Sequence, residues 1–382
     1  MDSLKFSPPP VSEAAEALRV EVRAFLKDAL AGQTATEKAQ SWNGHNPEFS
    51  QLVGKQGWLG MTWPKQYGGQ ERSALERNVV VEEMLAAGAP VSAHWIAERQ
   101  SGPTLLRYGT QAQCDEILPK ILRGECYFAI GMSEPNSGSD LASVQTRAVK
   151  TDGGFVVNGS KIWTSNAHLS HYMILFCRTD ARSEDRHSGH SQFLVDMKTP
   201  GLEIRPILFS TGEHQFNEVF FKDMFLPDEA LLGQAGQGWK QVTGELSFER
   251  SGPDRFLSSF AAVKGMSGRI GTKPDDRGAI ALGRIVAHLM VLRRMSRSIA
   301  GMLEDDLDPA LQAAIVKDLG TTLEQEIPEI ARQIVAVEPG EGADGELEAV
   351  LDYTIQHAPT FSLRGGTREI LRGMIARGAG LR

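Results

Sequence analysis

Hydrophobic periodicity changes twice along this chain of 382 residues, and the two changes confine it to a three-part fold. Apolar positions recur at helical spacing up to about residue 125 and again from about residue 236. Between them lie short β-branched and aromatic runs at 154–157, 161–164, 172–177, 192–195, 202–206 and 218–221. Asn158-Gly159 separates the first two runs and reads as a hairpin turn. The expected fold class is α+β: an N-terminal helical domain (1–125), a central β-barrel-like domain (126–235) and a C-terminal four-helix bundle (236–382).

In the first part, Ser12 is placed to cap a helix carrying Ala15, Leu18, Val22, Phe25 and Leu26. A short helix over 48–56 follows, then glycine- and aromatic-rich turns at 57–60 and 64–69, then helices over 71–123 broken at 88–90 and 109. In the last part, the glycine- and acid-rich stretch 338–345 reads as a loop.

Composition narrows the function classes. The net charge is −8 and the basic residues are scattered, which argues against nucleic acid as partner. Arg293, Arg294 and Arg297 read as one solvated helix face. The spacing of Cys114, Cys126 and Cys177 matches neither a disulfide framework nor a zinc site, so reduced thiols and no metal are expected. His187 and His190, with Ser188 and Ser191, read as an exposed loop and not a metal site. The N-terminus shows no apolar or Arg-rich leader and no window approaches ~18 apolar residues, so a cytoplasmic protein without a membrane span is expected.

The densest chemistry lies in Gly131-Met132-Ser133-Glu134-Pro135-Asn136-Ser137-Gly138-Ser139-Asp140. Its glycines allow close backbone approach, and its N–H groups and hydroxyls suit an anionic or polar ligand. Letter by letter it resembles the signature of the acyl-CoA dehydrogenase family: small, apolar, Ser/Thr, Glu, two free positions, small, Gly, Ser/Thr, Asp. Ile162-Trp163-Thr164-Ser165-Asn166 resembles the family segment that packs against the flavin. As bare sequence, Trp163 reads sooner as a core tryptophan of a strand, and it is the resemblance that reverses this.

The resemblance covers almost the whole chain, most closely at 126–166 and 365–377 and least at 265–345. It implies FAD as cofactor and α,β-dehydrogenation of an acyl-CoA thioester to a trans-2-enoyl-CoA. Electrons would pass to an electron-transferring flavoprotein. It further implies cofactor contacts at Ile130, Met132, Ser133, Ser139, Trp163, Ser165, Thr367 and Glu369, with Ser139 also near the CoA moiety.

Family members hold the catalytic base at one of two places. At the usual place this chain reads Arg364-Gly365-Gly366-Thr367, so Gly365 stands where a base would be. Members acting on long or branched acyl chains place it before an Arg on the first helix of the C-terminal domain, and here Glu249 precedes Arg250. The resemblance implies Glu249 as base and Arg250 as the residue ordering the substrate pocket, with Glu245 in reserve. As bare sequence, an adjacent Glu-Arg pair reads as solvated helix surface.

The chain departs from the family pattern where members reach a neighbouring subunit's FAD. An Arg-x-x-Phe-Gly segment is missing near Asp275-Asp276-Arg277-Gly278-Ala279-Ile280, and a Gln-x-x-Gly-Gly segment near Gln333-Ile334-Val335-Ala336. The chain is therefore read as a divergent homo-oligomer, or as one subunit of a heteromeric dehydrogenase of the steroid side-chain type. A non-dehydrogenating acyl-CoA or flavin binder, or an oxidase, is the alternative from another class. His94, Trp95 and Arg99 are on a helix that is a candidate pocket wall.

Overall fold

The computed structural model describes residues 4–181, 184–249, 252–335 and 345–381, and side chains up to residue 244 and from 252. The chain runs helices, sheet, helices. The first helices are α1 (Glu13–Ala29), α2 (Ala35–Gln40), α3 (Pro47–Lys55), α4 (Ala74–Ala87), α5 (Ser92–Ile96), α6 (Gly102–Tyr108) and α7 (Gln111–Leu122). Their starts follow local chemistry. Ser12 Oγ accepts from Ala15 N at 3.1 Å, and Thr34, Ser73 and Thr110 open α2, α4 and α7 with reciprocal capping boxes. Gly88 ends α4 in the left-handed region at φ 80°. A π-helical turn, Ala97–Ser101, joins α5 to α6.

Seven strands follow: β1 (Phe128–Gly131), β2 (Arg147–Thr151), β3 (Gly154–Ser165), β4 (Tyr172–Arg178), β5 (His190–Asp196), β6 (Leu202–Leu208) and β7 (His214–Pro227). They form one sheet in the order β1-β4-β2-β3-β7-β6, with β5 branching from β4. β1 and β4 are parallel, whereas β2–β3, β3–β7, β4–β5 and β6–β7 are antiparallel. The buried face gathers Ala148, Val157, Leu175, Phe193, Val195, Val219, Phe221 and Met224.

Asn158-Gly159 is not the hairpin its sequence predicts. β3 runs through it, and the register against β7 shifts there, which marks a bulge. The turn lies at Asp152-Gly153 instead, with Gly153 at φ 69°. Asn158 bonds across to β7, donating from Nδ2 to Asp223 Oδ1 at 3.1 Å and accepting from Asp223 N at 2.9 Å. Gly159 is required because a Cβ there would come within 2.6 Å of Thr146 Oγ1.

The last helices are α8 (Gly238–Glu249), α9 (Phe260–Ile270), α10 (Asp276–Glu304), α11 (Ala310–Val335), α12 (Glu346–His357) and α13 (Arg368–Gly378). Asp275, in the segment where the Arg-x-x-Phe-Gly pattern is missing, caps α10 by accepting from Gly278 N at 2.7 Å. The predicted loop at 338–345 falls almost entirely outside the described residues.

The chain forms two compact units. One contains Met1–Phe49, Glu71–Ser92 and Ser247–Arg382; the other contains Ser50–Gln70 and Ala93–Leu246. In the first, α11 is the hub on which α9, α10, α12 and α13 pack, and α1 packs on α4. Arg293 and Arg297 are not merely solvated. The Arg293 guanidinium bonds Glu82 at 3.0 Å, beside the buried Arg19, Glu82 and Glu83, and Arg297 donates to Pro9 O. Two buried carboxylates side by side on α4 would be costly unpaired, and Arg19 and Arg293 supply the counter-charge. No helix among the described residues is long and apolar enough to cross a membrane.

Candidate active site

In the second unit, β1 ends at Gly131, where a Cβ would sit 2.6 Å from Met173 Sδ. The chain then crosses over β3. Ser133 O accepts from Ile162 N at 2.9 Å, and the Lys161 ammonium donates to Met132 O and to Glu134 Oε1, both at 2.8 Å. Lys161 is fully buried. Glu134 also accepts from Gln145 N at 2.6 Å and Thr146 N at 2.9 Å. Burial pushes the Glu134 carboxyl up, but the Lys161 charge and these donors outweigh it and hold the group below the ordinary range. Burial is also the main pull on Lys161, whose pKa is lowered despite Glu134. The turn closes with Glu134 and Ser137 exchanging main-chain bonds at 2.8 and 3.0 Å. Glu134 is thus the brace of the loop, not a ligand group.

What the loop leaves open is different. The Ser133 hydroxyl is half-buried, Ser139 is exposed, and neither hydroxyl bonds another described residue. The Met132 side chain packs with Val144, Phe176 and Val242, and that of Ile130 with the cluster around Phe128 and Ile174. Both side chains are half-buried. Asp140 pairs with Arg186 at the surface.

Trp163 is not a core tryptophan: it is 54% exposed, at the top of a second bulge in β3. Its φ of 58° is a left-handed value that a bulky residue rarely adopts. Its indole meets Phe216 edge-on at 5.8 Å, leaving a ring face open. Ser165 is half-buried two residues on, and its hydroxyl has no bond to a described residue.

In the first unit, Gly365 and Gly366 take φ 64° and 95°. The buried Lys317 ammonium donates to Gly366 O at 2.7 Å. Arg364 stacks on Trp42 at 3.9 Å and donates to Ser258 Oγ at 2.7 Å and Glu324 Oε2 at 3.4 Å. Burial raises the pKa of Glu324, with Arg364 and Ser258 pulling the other way. Thr367 is half-buried at the start of α13 and Glu369 is exposed; the Glu369 carboxylate is held below the usual range by its own N–H and by the Thr367 hydroxyl.

The α8 backbone ends at Glu249. The side chains of Glu245 and Glu249, and Arg250 with Ser251, lie outside the described residues. The base of α8 is firmly seated: a Cβ at Gly238 would come within 2.7 Å of the Ser191 backbone, and Gln241 Nε2 donates to Leu232 O at 2.7 Å. His94, Trp95 and Arg99 are buried around the π turn; His94 Nδ1 bonds Ser50 Oγ at 2.8 Å and Arg99 lies over the Trp95 ring at 5.0 Å.

The histidine loop requires a correction. His190 is fully buried, stacks on Phe176 at 5.0 Å and bonds Arg178 Nη2 at 2.8 Å, while His187 stacks on Trp239 at 4.3 Å. The correction applies to His190 and to Ser191, which are buried, whereas His187 is exposed as expected; no metal-binding cluster occurs among the described residues. Sequence reasoning passed over Lys161 and Lys317, because a single lysine within a strand or helix gives no sign that it will be buried on a distant carbonyl.

Three family models match the chain: the acyl-CoA dehydrogenase N-terminal domain at residues 12–125, the middle domain at 129–224 and the C-terminal domain at 268–380. The chain is 34% identical to acyl-CoA dehydrogenase FadE29 of Mycobacterium tuberculosis, over 94% of each chain. It is similar to a chain of the Tcur3481-Tcur3483 steroid ACAD, with TM-score 0.83, 29% identity and coverage of 97% of this chain and 98% of the other. It is likewise similar to a chain of the ChsE4-ChsE5 complex from Mycobacterium tuberculosis, with TM-score 0.83, 27% identity and coverage of 98% and 99%. The helical–sheet–helical order, the pinned signature loop and these matches together make the chain a member of the acyl-CoA dehydrogenase family of oxidoreductases.

Proposed function

We propose that the chain takes part in FAD-dependent α,β-dehydrogenation of an acyl-CoA thioester, with electrons passed on to an electron-transferring flavoprotein. The observation that carries this reading is the outward stance of Trp163 beside the unbonded hydroxyls of Ser133 and Ser165. An open indole face and two free hydroxyls fit the needs of a flavin ring, which has one apolar face and a polar edge. When bound, FAD supplies the acceptor for the hydride that leaves Cβ.

The remaining chemistry belongs to this chain. Trp163 packs against the ring, Ser133 and Ser165 bond its polar edge, and the main chain at Ile130 and Met132 fixes the loop to it. Thr367 contacts the phosphate or ribitol region of the cofactor, and Glu369 is structural or near the flavin. Ser139 lies toward the CoA moiety. Glu249 takes the α-proton on its carboxylate, and Arg250 orders the acyl pocket; Glu245 is the reserve base. On this reading the working division of the chain is 1–125, 126–235 and 236–382.

A second reading is favoured by a specific observation. The Asp275–Ile280 and Gln333–Ala336 stretches lack the family segments that reach a partner's FAD. The similar chains of the steroid ACAD and of the ChsE4-ChsE5 complex come from assemblies named for two different chains. This chain would then be one subunit of a heteromer acting on a steroid side-chain thioester, its partner completing the cofactor site.

The test is anaerobic titration of the purified protein with a panel of acyl-CoA thioesters, with Glu249→Gln alongside. Thioester-dependent bleaching of a yellow protein, slowed about 10²–10⁴-fold in the variant, supports the reading. Bleaching that survives Glu249→Gln sinks the assignment of the base. A colourless chain that turns yellow only with a related partner chain and FAD selects the heteromer.

A further inference from the structure

The open stance of Trp163 is not a property of its own strand. Along β3 the ladder with β7 steps from Lys161↔Val219 to Thr164↔Asn217, three residues against two, so one residue is extruded and a ladder bond is forfeited. Trp163 sits in that bulge at φ 58°, and Asn166 at φ 51° follows the last paired residue, Ser165. A tryptophan in a left-handed conformation is strained, an asparagine less so, and such a segment persists only where the surroundings over-determine it.

One side chain supplies the over-determination. Asn217 is fully buried on β7, opposite Thr164. Its Nδ2 donates to Thr164 O at 3.0 Å, bonding the carbonyl next to Trp163 through a side chain. That use of Nδ2 leaves Oδ1 as an acceptor, and His214 Nε2 donates to it at 2.8 Å. His214 is itself held flat against His168, with centroids 3.7 Å apart and planes 13° from parallel. His168 lies in the short turn Ala167–Leu169 directly after β3. The chain Thr164–Asn217–His214–His168 therefore leaves β3, crosses β7 and returns to the end of β3, enclosing the strained segment.

We propose that Asn217 is a positioning residue for the cofactor contact: its carboxamide, oriented by His214, holds the bulge that turns Trp163 and Ser165 outward to meet the flavin. This rests on the reading of Trp163 as the flavin face. Asn217 touches no reacting atom; it acts through the backbone of Thr164.

The experiment uses the full protein as purified, together with any partner chain it needs. The variants are Asn217→Leu, which keeps volume but removes the amide; His214→Phe, which keeps the stack but removes the donor; and His214→Gln, which keeps a donor. Two signals are followed. The first is acrylamide quenching of the emission assigned to Trp163 by difference from Trp163→Phe, read without FAD. The second is FAD affinity, read from quenching of flavin fluorescence. Asn217→Leu and His214→Phe are expected to change the Trp163 signal and weaken FAD about tenfold, with His214→Gln close to wild type. Unchanged Trp163 emission in Asn217→Leu and His214→Phe overturns the proposal, as does altered emission with unchanged FAD affinity while Trp163→Ala loses it. If Trp163→Ala itself leaves FAD affinity unchanged, the flavin-face reading fails and the proposal with it. A general loss of stability would lower the melting temperature without separating His214→Gln from His214→Phe.

Discussion

Two fully buried lysines perform the same task in different surroundings. Lys161 donates to Met132 O at 2.8 Å in the sheet, and Lys317 donates to Gly366 O at 2.7 Å among the C-terminal helices. Each pins a turn that carries candidate cofactor contacts. In the sheet, the lysine shares its charge with Glu134, which collects two main-chain N–H groups in turn. Among the helices the turn has no ladder to lean on, and the side chains of Arg364, Ser258 and Glu324 replace it. A loop at a sheet end can be held by one ion pair plus strand bonds; a turn between helices needs a clamp assembled from several elements.

The difference can be broken from either end. Lys161→Met is expected to have the largest effect, about 3–5 kcal/mol, because it strands the buried Glu134. Chemical denaturation measures it, and adding Glu134→Gln should recover much of the loss. Lys317→Met should cost less, about 2 kcal/mol, since it leaves the Gly366 carbonyl without its donor. Equal losses from the two lysines would erase the distinction.

The two carboxylates should also respond to pH in opposite senses. Glu134 has a folded pKa below its ordinary 4.5, so its stabilisation is present above that value and lost as pH falls through the folded pKa. Glu324 has a raised folded pKa. Its neutral form is favoured in the fold, so stability is kept below the ordinary 4.5 and lost as pH rises through the raised value. Melting curves across pH should show Glu134→Gln flattening the acid limb and Glu324→Gln flattening the rise-side loss, each by at most about 1.4 kcal/mol per pH unit. Slopes of the same sign in both variants would refute the pairing scheme. The smallest effect is expected from Gly365→Ala, about 1 kcal/mol, because φ 64° there disfavours a Cβ.

Parts of this molecule were legible because their cause is local. Ser12 announces a helix start within four residues, and strand runs announce themselves by composition; the caps at Thr34, Ser73 and Thr110 have the same local form but were not read. Asn158-Gly159 misled for the same reason: as a dipeptide it favours a turn, but pairing with Asp223 on β7 made it a bulge. His190 misled because its burial depends on Phe176 and Arg178, neither adjacent to it.

By itself the sequence determined the order of helical and β segments, the signature loop at 131–140 and the glycine at 365, since each is written in neighbouring residues. Tertiary structure alone decided that Glu134 is a brace, that Lys161 and Lys317 are buried on carbonyls, and that Trp163 faces outward while Asn217 holds it there. Those outcomes depend on partners between 11 and 53 positions away, and no local pattern records which backbone group a distant side chain will reach.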